Sequence, residues 1–449
     1  MIIGCWYLYS NIQVYITSYL NKQHPTVSLN QTFLGWMLNS TAQSGTIWIG
    51  ALLIQRINPK IVVLIGTGIT LTAVFASSFV TRPLPFWLLF GLFNGIGCGL
   101  AFLTPLVCGW EYFPKRKGLV TALALSGLAV GPFIFGYISL AIANPENKVP
   151  ELEVDGGLIF YPFEKQSDRA PQLIRIIGSL WACLAIIAVI FISKPEKPNN
   201  SDNENDLNEE HALNQRDFQS DQITVTNSNF IPKTNTQYIS LKQALWTPEV
   251  WNLTLIATIS MIHGFYVSQI YKSYGELHIK DDAFLTTIGT FSNLLCFIGR
   301  IFWPIIQDIF GFKPLYMIIL VTQITTGLTL SVVISYKTLY FIWIGSQYLC
   351  IGGYLSLTPT VWAYMYGHDT GGKVYSIIIL TFTFANLTDY SLQRGVYPLI
   401  GYENIFYIVS GWSWISLILL LLFKEKEFLV RTDDYKESGL SYSKLNQRI

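Results

Sequence analysis

The sequence predicts an all-α membrane protein in which twelve transmembrane helices form two six-helix bundles. Three observations predict this class of fold. Of the 449 residues, 51% are hydrophobic and only 13% are charged, whereas soluble domains carry about 25% charged residues. The hydrophobic residues gather into runs long enough to cross a bilayer. These runs form two sets that share sequence features and are separated by a long polar segment.

Each predicted helix is an apolar run bounded by proline, glycine or charged residues. A helix needs about 20 apolar residues to cross the hydrocarbon core. The first run, from Ile2 to Leu20, has no basic flank and no small-residue cleavage site, so we interpret it as a helix and not as a signal peptide. It begins almost at Met1, so a further segment before this sequence is an open alternative. The runs lie near residues 3–20, 33–54, 61–80, 86–109, 119–142, 173–193, 249–271, 284–306, 314–335, 338–363, 374–394 and 403–423.

The two sets of runs predict four parts of the chain. We expect an N-terminal six-helix bundle over 1–193 and a C-terminal one over 246–424. The segment 194–245 between them is predicted to be a disordered cytoplasmic linker, because its Asn-rich, acidic sequence cannot bury enough apolar surface to fold. A polar cytoplasmic tail is expected over 425–449.

An internal repeat indicates that the two bundles are duplicated units. The tripeptide Leu-Thr-Pro at 103–105 recurs at 357–359. Parallel repeats of this kind form two bundles related by an axis along the membrane normal, with the solute site between them. Three further pairs keep the same offset: Gly99 and Gly353, Tyr112 and Tyr366, and Gly118 and Gly372.

Composition argues against several classes of function. The net charge of +1 gives no reason to expect a nucleic-acid partner. The six cysteines lie mostly inside apolar runs and lack the spacing of a zinc site, so no metal or other cofactor is expected. No paired carboxylates or nucleophile motif stands at a membrane face, so we do not expect an enzyme. The lipid bilayer is the expected surrounding, and we expect a monomer.

Basic residues predict the orientation in the membrane. Most fall on the side that also holds both termini and the linker, which the positive-inside rule makes cytoplasmic. The sequon at 30–32 would then face outside, where a glycan could be attached to Asn30. The basic residues on the predicted cytoplasmic side are Arg56, Lys60, Lys115, Arg116, Lys117, Lys313 and Lys373.

Four segments together resemble the major facilitator superfamily, and within it the oxalate/formate antiporter and monocarboxylate transporter branch. The run YFPKRKGLVTA at 112–122 resembles that branch's entry to helix five. The run GRIFW at 299–303, with Gln307, Asp308 and Gly311, resembles its helix-eight signature. Tyr366-Gly367, Gly372 and Tyr375 resemble its entry to helix eleven, and LKQALWTP at 241–248 resembles the segment before helix seven. The resemblance implies a secondary carrier of small organic anions that works by alternating access.

The resemblance also implies gating loops at the cytoplasmic ends of the second and eighth spans. The superfamily's first loop usually carries an acidic residue, but Gln55 stands at that position, and Asn58 replaces a glycine. Asp308 keeps the acid in the second half, so we expect a weaker loop clamp in the N-terminal half. The predicted gating-loop residues are Gln55, Arg56, Lys60, Asp308 and Lys313.

Arg300 is the strongest candidate for binding a solute. It lies eight residues before Asp308, or about 12 Å into the membrane at 1.5 Å per residue. A charged side chain there costs about 2.5–3.5 kcal/mol on insertion scales, so it usually faces a cavity or a partner. The guanidinium offers a planar fork of donors that matches a carboxylate, and the resemblance likewise assigns this arginine to anion binding. The alternative is a structural arginine. Position 296, one turn earlier, holds a cysteine where some monocarboxylate transporters of the branch that the chain resembles have the aspartate used for proton coupling.

Other intramembrane polar residues give weaker candidates, each with a structural alternative. His263 could titrate or simply pack, and Lys272 could attract anions to the outer mouth or snorkel to the interface. Asp389 could pair with Arg394. The predicted solute-binding residues other than Arg300 are Asn11, Gln13, Asn39, Gln43, His263, Lys272 and Thr383.

The sequence therefore predicts a secondary active transporter for a small organic anion, either a monocarboxylate or an oxalate- or formate-like solute. Cotransport of a proton and exchange for a counter-anion both stay open. Two alternatives are a carrier of a neutral or zwitterionic solute on the same fold and a non-transporting membrane sensor. The membrane could be the plasma membrane or that of an organelle.

Overall fold

The structure, a computed structural model, describes residues 8–113, 117–193, 236–378, 381–424 and 429–431, together with Ile2 and Gly4. It divides into two compact units. The larger unit holds the helices of both predicted bundles. In the other, strands Thr236–Tyr238 and Leu429–Arg431 pair in antiparallel fashion. Most of the predicted linker and tail, and the side chains of Asp308 and Lys117, lie outside the described residues.

The N-terminal half of the larger unit consists of helices that pass back and forth. A π-helical segment, Leu88–Phe93, joins α4 to α5, so that α4, α5 and α6 follow one another as a single pass. The helices are α1 (Tyr9–Gln23), α2 (Leu29–Arg56), α3 (Pro59–Ser77), α4 (Pro83–Trp87), α5 (Asn94–Phe102), α6 (Thr104–Tyr112), α7 (Lys117–Ala143) and α8 (Lys165–Phe191).

The C-terminal half repeats this plan with fewer separate helices. Two glycines with positive φ, Gly367 at 77° and Gly401 at 75°, interrupt long helical runs and act as tight turns between passes, a conformation that glycine adopts without strain. The helices are α9 (Leu241–Leu245), α10 (Pro248–His278), α11 (Asp282–Phe310), α12 (Phe312–Val333), α13 (Lys337–Ile378), α14 (Thr381–Ser391) and α15 (Tyr397–Leu422), with a π-helical segment, Leu392–Val396, between the last two. With these breaks, the described residues form twelve helical passes.

Within the described part of the chain, eight helical stretches are long and apolar enough to cross a membrane by length and composition. The helices α1, α2 and α13 are not among them. The reason is visible in α1 and α2, where Asn11, Gln13, Asn39 and Gln43 are all buried. These passes gain burial from protein neighbours and need not be apolar on every face.

Close packing of the fourth pass against α2 depends on three glycines. A Cβ atom on Gly91, Gly95 or Gly99 would press against backbone oxygens of α2. Small residues let helix backbones approach closely in membranes. The glycine stripe therefore serves packing, and Gly136 of α7 serves the same purpose against Thr290 of α11.

A β-hairpin lies between α7 and α8, in the segment between the fifth and sixth predicted runs. Strands β1 (Leu152–Val154) and β2 (Gly157–Ile159) pair around Asp155 and Gly156, which both have positive φ, as a tight hairpin turn requires. We call the side of the helical unit that carries this hairpin the hairpin face. The ends of α1, α7 and α10 and the start of α11 lie there. The opposite side, with the start of α1 and the end of α15, is the terminal face.

The hairpin tip contacts both halves. The Asp155 carbonyl accepts a hydrogen bond from Asn30 Nδ2 at 3.2 Å, and the Gly156 carbonyl accepts one from Tyr397 OH at 2.6 Å. Asn30 is only 2% exposed. A glycan on Asn30, suggested by its sequon, does not fit this conformation.

Candidate functional site

The candidate site is the interface between the two halves, where α7 faces α11, α2 faces α14 and α1 faces α10. Phe133 of α7 and Phe291 of α11 meet edge to face with ring centroids 5.9 Å apart. Polar and charged side chains are buried at several levels of the same interface. Their partners show which contacts hold the halves together in this conformation.

Arg300 lies on α11 with 8% of its surface exposed. Its Nη1 donates to the main-chain carbonyl of Leu125 on α7 at 3.0 Å. The guanidinium also interacts electrostatically with the side chain of Cys296, one turn away, and with Tyr375 in the last part of α13. The guanidinium thus sits where three helices from the two halves meet.

Lys272 of α10 forms a fully buried ion pair near the hairpin face. Its Nζ lies 2.8 Å from Asp282 Oδ1, and both side chains are 0% exposed. The ammonium also donates to Thr286 Oγ1 at 2.9 Å and to the main-chain carbonyl of Asn11 on α1 at 3.1 Å. It stands 5.0 Å from the centroid of the Tyr15 ring. The ammonium is therefore not at the water interface in this conformation, so snorkelling does not describe it.

Asp282 links that ion pair to the N-terminal half. Its Oδ2 accepts from Tyr15 OH at 2.6 Å and from Asn144 Nδ2 at 2.7 Å. Glu276 is also buried here, one turn beyond Lys272, with 1% exposure. We call Tyr15, Asn144, Lys272, Glu276 and Asp282 the charge cluster. Of these, the sequence singled out only Lys272.

Asp281 makes a second link at the hairpin face, outside the spanning part of α11. Asn147, which follows α7, donates to Asp281 Oδ1 at 3.1 Å and accepts from the Ala283 N–H at 2.7 Å. Lys337 lies 3.5 Å from the same carboxylate. Burial alone would raise the pKa of Asp281, but the Phe284 N–H, the Asn147 amide and Lys337 hold it below its usual value.

A third set of contacts joins α2 to α14 and the π-helical segment after it. Trp36 Nε1 donates to Asn386 Oδ1 at 3.1 Å, and Gln393 Nε2 donates to Asn30 Oδ1 at 2.6 Å. Asp389 is fully buried nearby, and its oxygens have no hydrogen-bond donor among the described residues. Arg394 is exposed and forms no ion pair with it, so the suggested Asp389–Arg394 pair is wrong for this conformation.

Three predicted candidates near the N-terminus have different surroundings. Asn11 lies beside the charge cluster, where its Oδ1 accepts from Tyr271 OH. Gln13 instead joins α1 to α2, because its Nε2 donates to the Leu29 carbonyl at 3.0 Å and to Thr32 Oγ1 at 3.1 Å. Asn39 lines a small cavity inside the N-terminal half.

The remaining predicted candidates do not come together at one point. Gln43 is buried on α2, and Thr383 of α14 is half-buried. His263 is fully buried within the C-terminal half, with Nδ1 2.8 Å from Ser413 Oγ and Nε2 3.3 Å from Gln347. His263 therefore links helices of one half, as a packing residue does.

The predicted gating residues lie at the terminal face. Gln55, Arg56 and Lys60 are exposed. Lys313 Nζ donates to the carbonyls of Leu421 and Phe423 at 2.8 and 3.0 Å. A lysine side chain that reaches the last carbonyls of a helix stabilises that end. Lys313, at the start of α12, therefore stabilises the end of α15.

Two halves of six passes, with charged side chains buried between them, are typical of a membrane transporter. The model of the Major Facilitator Superfamily matches residues 1–365. The chain belongs to this superfamily, and the predicted fold class is confirmed. It is a multi-pass membrane protein.

Individual relatives support the same branch. The chain is 21% identical to "Apicoplast pyruvate carrier 1" of Toxoplasma gondii over 82% of this chain and 71% of that protein. It is 33% identical to "Monocarboxylate transporter 13" of Rattus norvegicus over 19% of this chain and 20% of that one. Among solved structures, the inward-open xylose transporter XylE from E. coli has a TM-score of 0.63 at 13% identity and covers 94% of each chain. This last similarity concerns the fold alone.

Proposed function

We propose that this chain is a secondary active transporter that carries small organic anions by alternating access, with Arg300 binding the carboxylate. The observation that carries the proposal is the position of Arg300. It is a buried guanidinium on a helix long and apolar enough to cross a membrane, and it bonds across the interface to the Leu125 carbonyl at 3.0 Å. The pyruvate and monocarboxylate carriers among the relatives support this solute class.

The proposed mechanism follows from the charge of Arg300. A guanidinium forms two parallel hydrogen bonds to a carboxylate, and these are stronger than a bond to a neutral carbonyl. A carboxylate bound to the guanidinium faces an opposite charge, so enclosing the pair costs less than enclosing the anion alone. The solute therefore favours the occluded state through which the two open states interconvert.

The test is uptake of labelled pyruvate, lactate, formate and oxalate into proteoliposomes. Loss of a charge-assisted hydrogen bond costs about 1.5–3 kcal/mol, so Arg300→Ala should reduce uptake roughly 10- to 100-fold. Arg300→Lys keeps the positive charge but lacks the planar set of guanidinium donors, and it should retain part of the uptake. The matched control is Arg175→Ala on α8, whose guanidinium lies 5.2 Å from the Phe79 ring centroid within the N-terminal half. Wild-type uptake by a monodisperse Arg300→Ala variant would overturn the role of Arg300.

A zwitterionic solute is a second candidate, favoured by the opposite charges of Lys272 and Asp282, 2.8 Å apart. If labelled alanine enters the same proteoliposomes and none of the four acids does, this candidate replaces the first.

We further propose that the terminal face is cytoplasmic and the hairpin face is outside or lumenal. Arg56, Lys60 and Lys373 are exposed at the terminal face, in keeping with the positive-inside rule. The membrane is that of the cell or of an organelle. Labelling of Lys148→Cys by an impermeant maleimide in intact cells or sealed organelles tests the orientation. A plasma-membrane protein should be labelled on intact cells, whereas an organelle protein should be labelled only after the sealed organelle is permeabilised, because its hairpin face is lumenal. Labelling of sealed organelles, or of a plasma-membrane protein only after permeabilisation, would overturn it.

A further inference from the structure

Glu276 has an unusual environment for a carboxyl group. It lies on α10 with 1% of its surface exposed, and neither of its oxygens has a hydrogen-bond donor among the described residues. An ionised carboxylate without donors is very costly to bury, whereas a neutral carboxylic acid is not. The geometry therefore favours a protonated, neutral Glu276 in this conformation.

The groups around Glu276 do not supply the missing stabilisation. Lys272, one turn away, is already engaged with Asp282 at 2.8 Å and with two oxygens of neighbouring residues. An ionised Glu276 would add a second negative charge beside Asp282, against a single ammonium. Two charged groups act on Glu276, Lys272 on α10 and Asp282 on α11. Glu276 in turn faces the hydroxyls of Tyr271 on α10, Tyr15 on α1, Tyr340 on α13 and Tyr402 on α15.

Opening of the hairpin face would break the hydrogen bonds that join the charge cluster to the N-terminal half. Tyr15 and Asn144 bond Asp282 from the N-terminal half, and Asn11 receives a bond from Lys272. Separation of the halves removes all three and lets water reach the site. Lys272 can then serve both carboxylates, and an ionised Glu276 becomes tolerable.

We propose that Glu276 binds a proton while the hairpin face is closed and releases it to water on that side when the face opens. The O–H bond of the carboxylic acid breaks on opening, when the proton passes to water, and re-forms on closing, when Glu276 takes a proton from water. One proton is therefore released and rebound in each conformational cycle. This proton site lies on α10 near the hairpin face and does not depend on an acid at position 296. The inference rests on the proposed alternating access, but not on the identity of the solute.

The first test is infrared difference spectroscopy of the purified protein between neutral and alkaline pH, without solute. The wild type should show the carbonyl stretch of a protonated carboxyl that is lost at alkaline pH, and Glu276→Gln should lack that component. Asp389→Asn is the matched control, because Asp389 is another buried carboxyl without donors. The Glu276 component should persist in it. An identical carboxyl spectrum in wild type and Glu276→Gln would overturn the proposal.

The second test measures the conformational equilibrium itself. Spin labels at Lys148→Cys and Lys280→Cys, both exposed at the hairpin face on opposite halves, report opening in a background where Cys5 and Cys183 are serine. If one proton is released, the closed-to-open ratio of the wild type should fall about tenfold per pH unit above the titration midpoint. Glu276→Gln should keep the closed distance at every pH, whereas Glu276→Asp should respond with a shifted midpoint.

The two spectroscopic tests separate this inference from the solute assignment. A wild type with a pH-independent distance, or a Glu276→Gln variant with the wild-type pH response, would overturn the proton role even if anion uptake is confirmed. Conversely, absence of anion transport leaves both measurements interpretable, because neither contains a solute.

Discussion

Replacing Tyr15 by phenylalanine removes a single hydroxyl from the contact between the two halves. That hydroxyl donates to Asp282 Oδ2 at 2.6 Å. The ring stays, and with it the stacking on Phe160 at 5.8 Å and the approach of Lys272 at 5.0 Å. The substitution thus tests one hydrogen bond that exists only while the hairpin face is closed.

The size of the effect follows from the charge of the acceptor. A hydrogen bond to a charged group contributes about 1.5–3 kcal/mol, so its loss should shift the closed-to-open ratio roughly 10- to 100-fold toward opening. The spin-label distance between positions 148 and 280 measures this shift. Tyr348→Phe is the control, because Tyr348 OH donates to the Ser268 carbonyl within the C-terminal half. A Tyr15→Phe distance distribution that matches wild type would refute the view that the charge cluster holds this face closed.

Three further predictions concern other contacts of the fold. Trp36→Phe removes a neutral hydrogen bond across the interface, worth about 1 kcal/mol. It should shift the closed-to-open ratio roughly fivefold toward opening. No shift, or one larger than that of Tyr15→Phe, would contradict this expectation. Gly95→Ala places a Cβ against the α2 backbone and should lower stability by about 1–3 kcal/mol, seen as a lower Tm in detergent, whereas Gly68→Ala enters open space and should not. Asp281→Asn should lower the Tm at neutral pH. The pKa of Asp281 is lower in the folded protein than its unfolded value of about 3.9, so the ionised carboxylate stabilises the fold above that pH. That difference should vanish as the pH falls through the lower folded pKa, and a constant difference would count against the ionised contact.

The sequence predicted the number of passes well but placed some ends poorly. The second apolar run was expected near residue 33, yet α2 begins at Leu29. Its first turn is polar, and the hairpin buries it through the bond between Asn30 and the Asp155 carbonyl. A hydropathy window cannot anticipate burial by a distant segment. The hairpin itself left a usable signal in Asp155-Gly156, a dipeptide typical of two-residue turns.

The charge cluster was only partly predictable for a similar reason. Lys272 stood out as a cation in an apolar helix, but its setting depends on residues far away in the chain. Tyr15 and Asp282 are 267 positions apart, and Asn144 and Asp282 are 138 apart. Asp282 is also at the start of its helix, where an acidic residue is ordinary because it favours the helix dipole. Its participation in a buried network became visible only once the halves were assembled.

The contact between Arg300 and Leu125 has a consequence for how this protein can vary. The acceptor is a main-chain oxygen, which every residue type at position 125 provides. That position can therefore drift among aliphatic and other helix-forming residues while the bond persists, and an alignment of relatives would show no paired substitutions between 125 and 300. The contact is tied to the path of the α7 backbone, so a kink one turn away would disturb it more than any exchange of the leucine side chain.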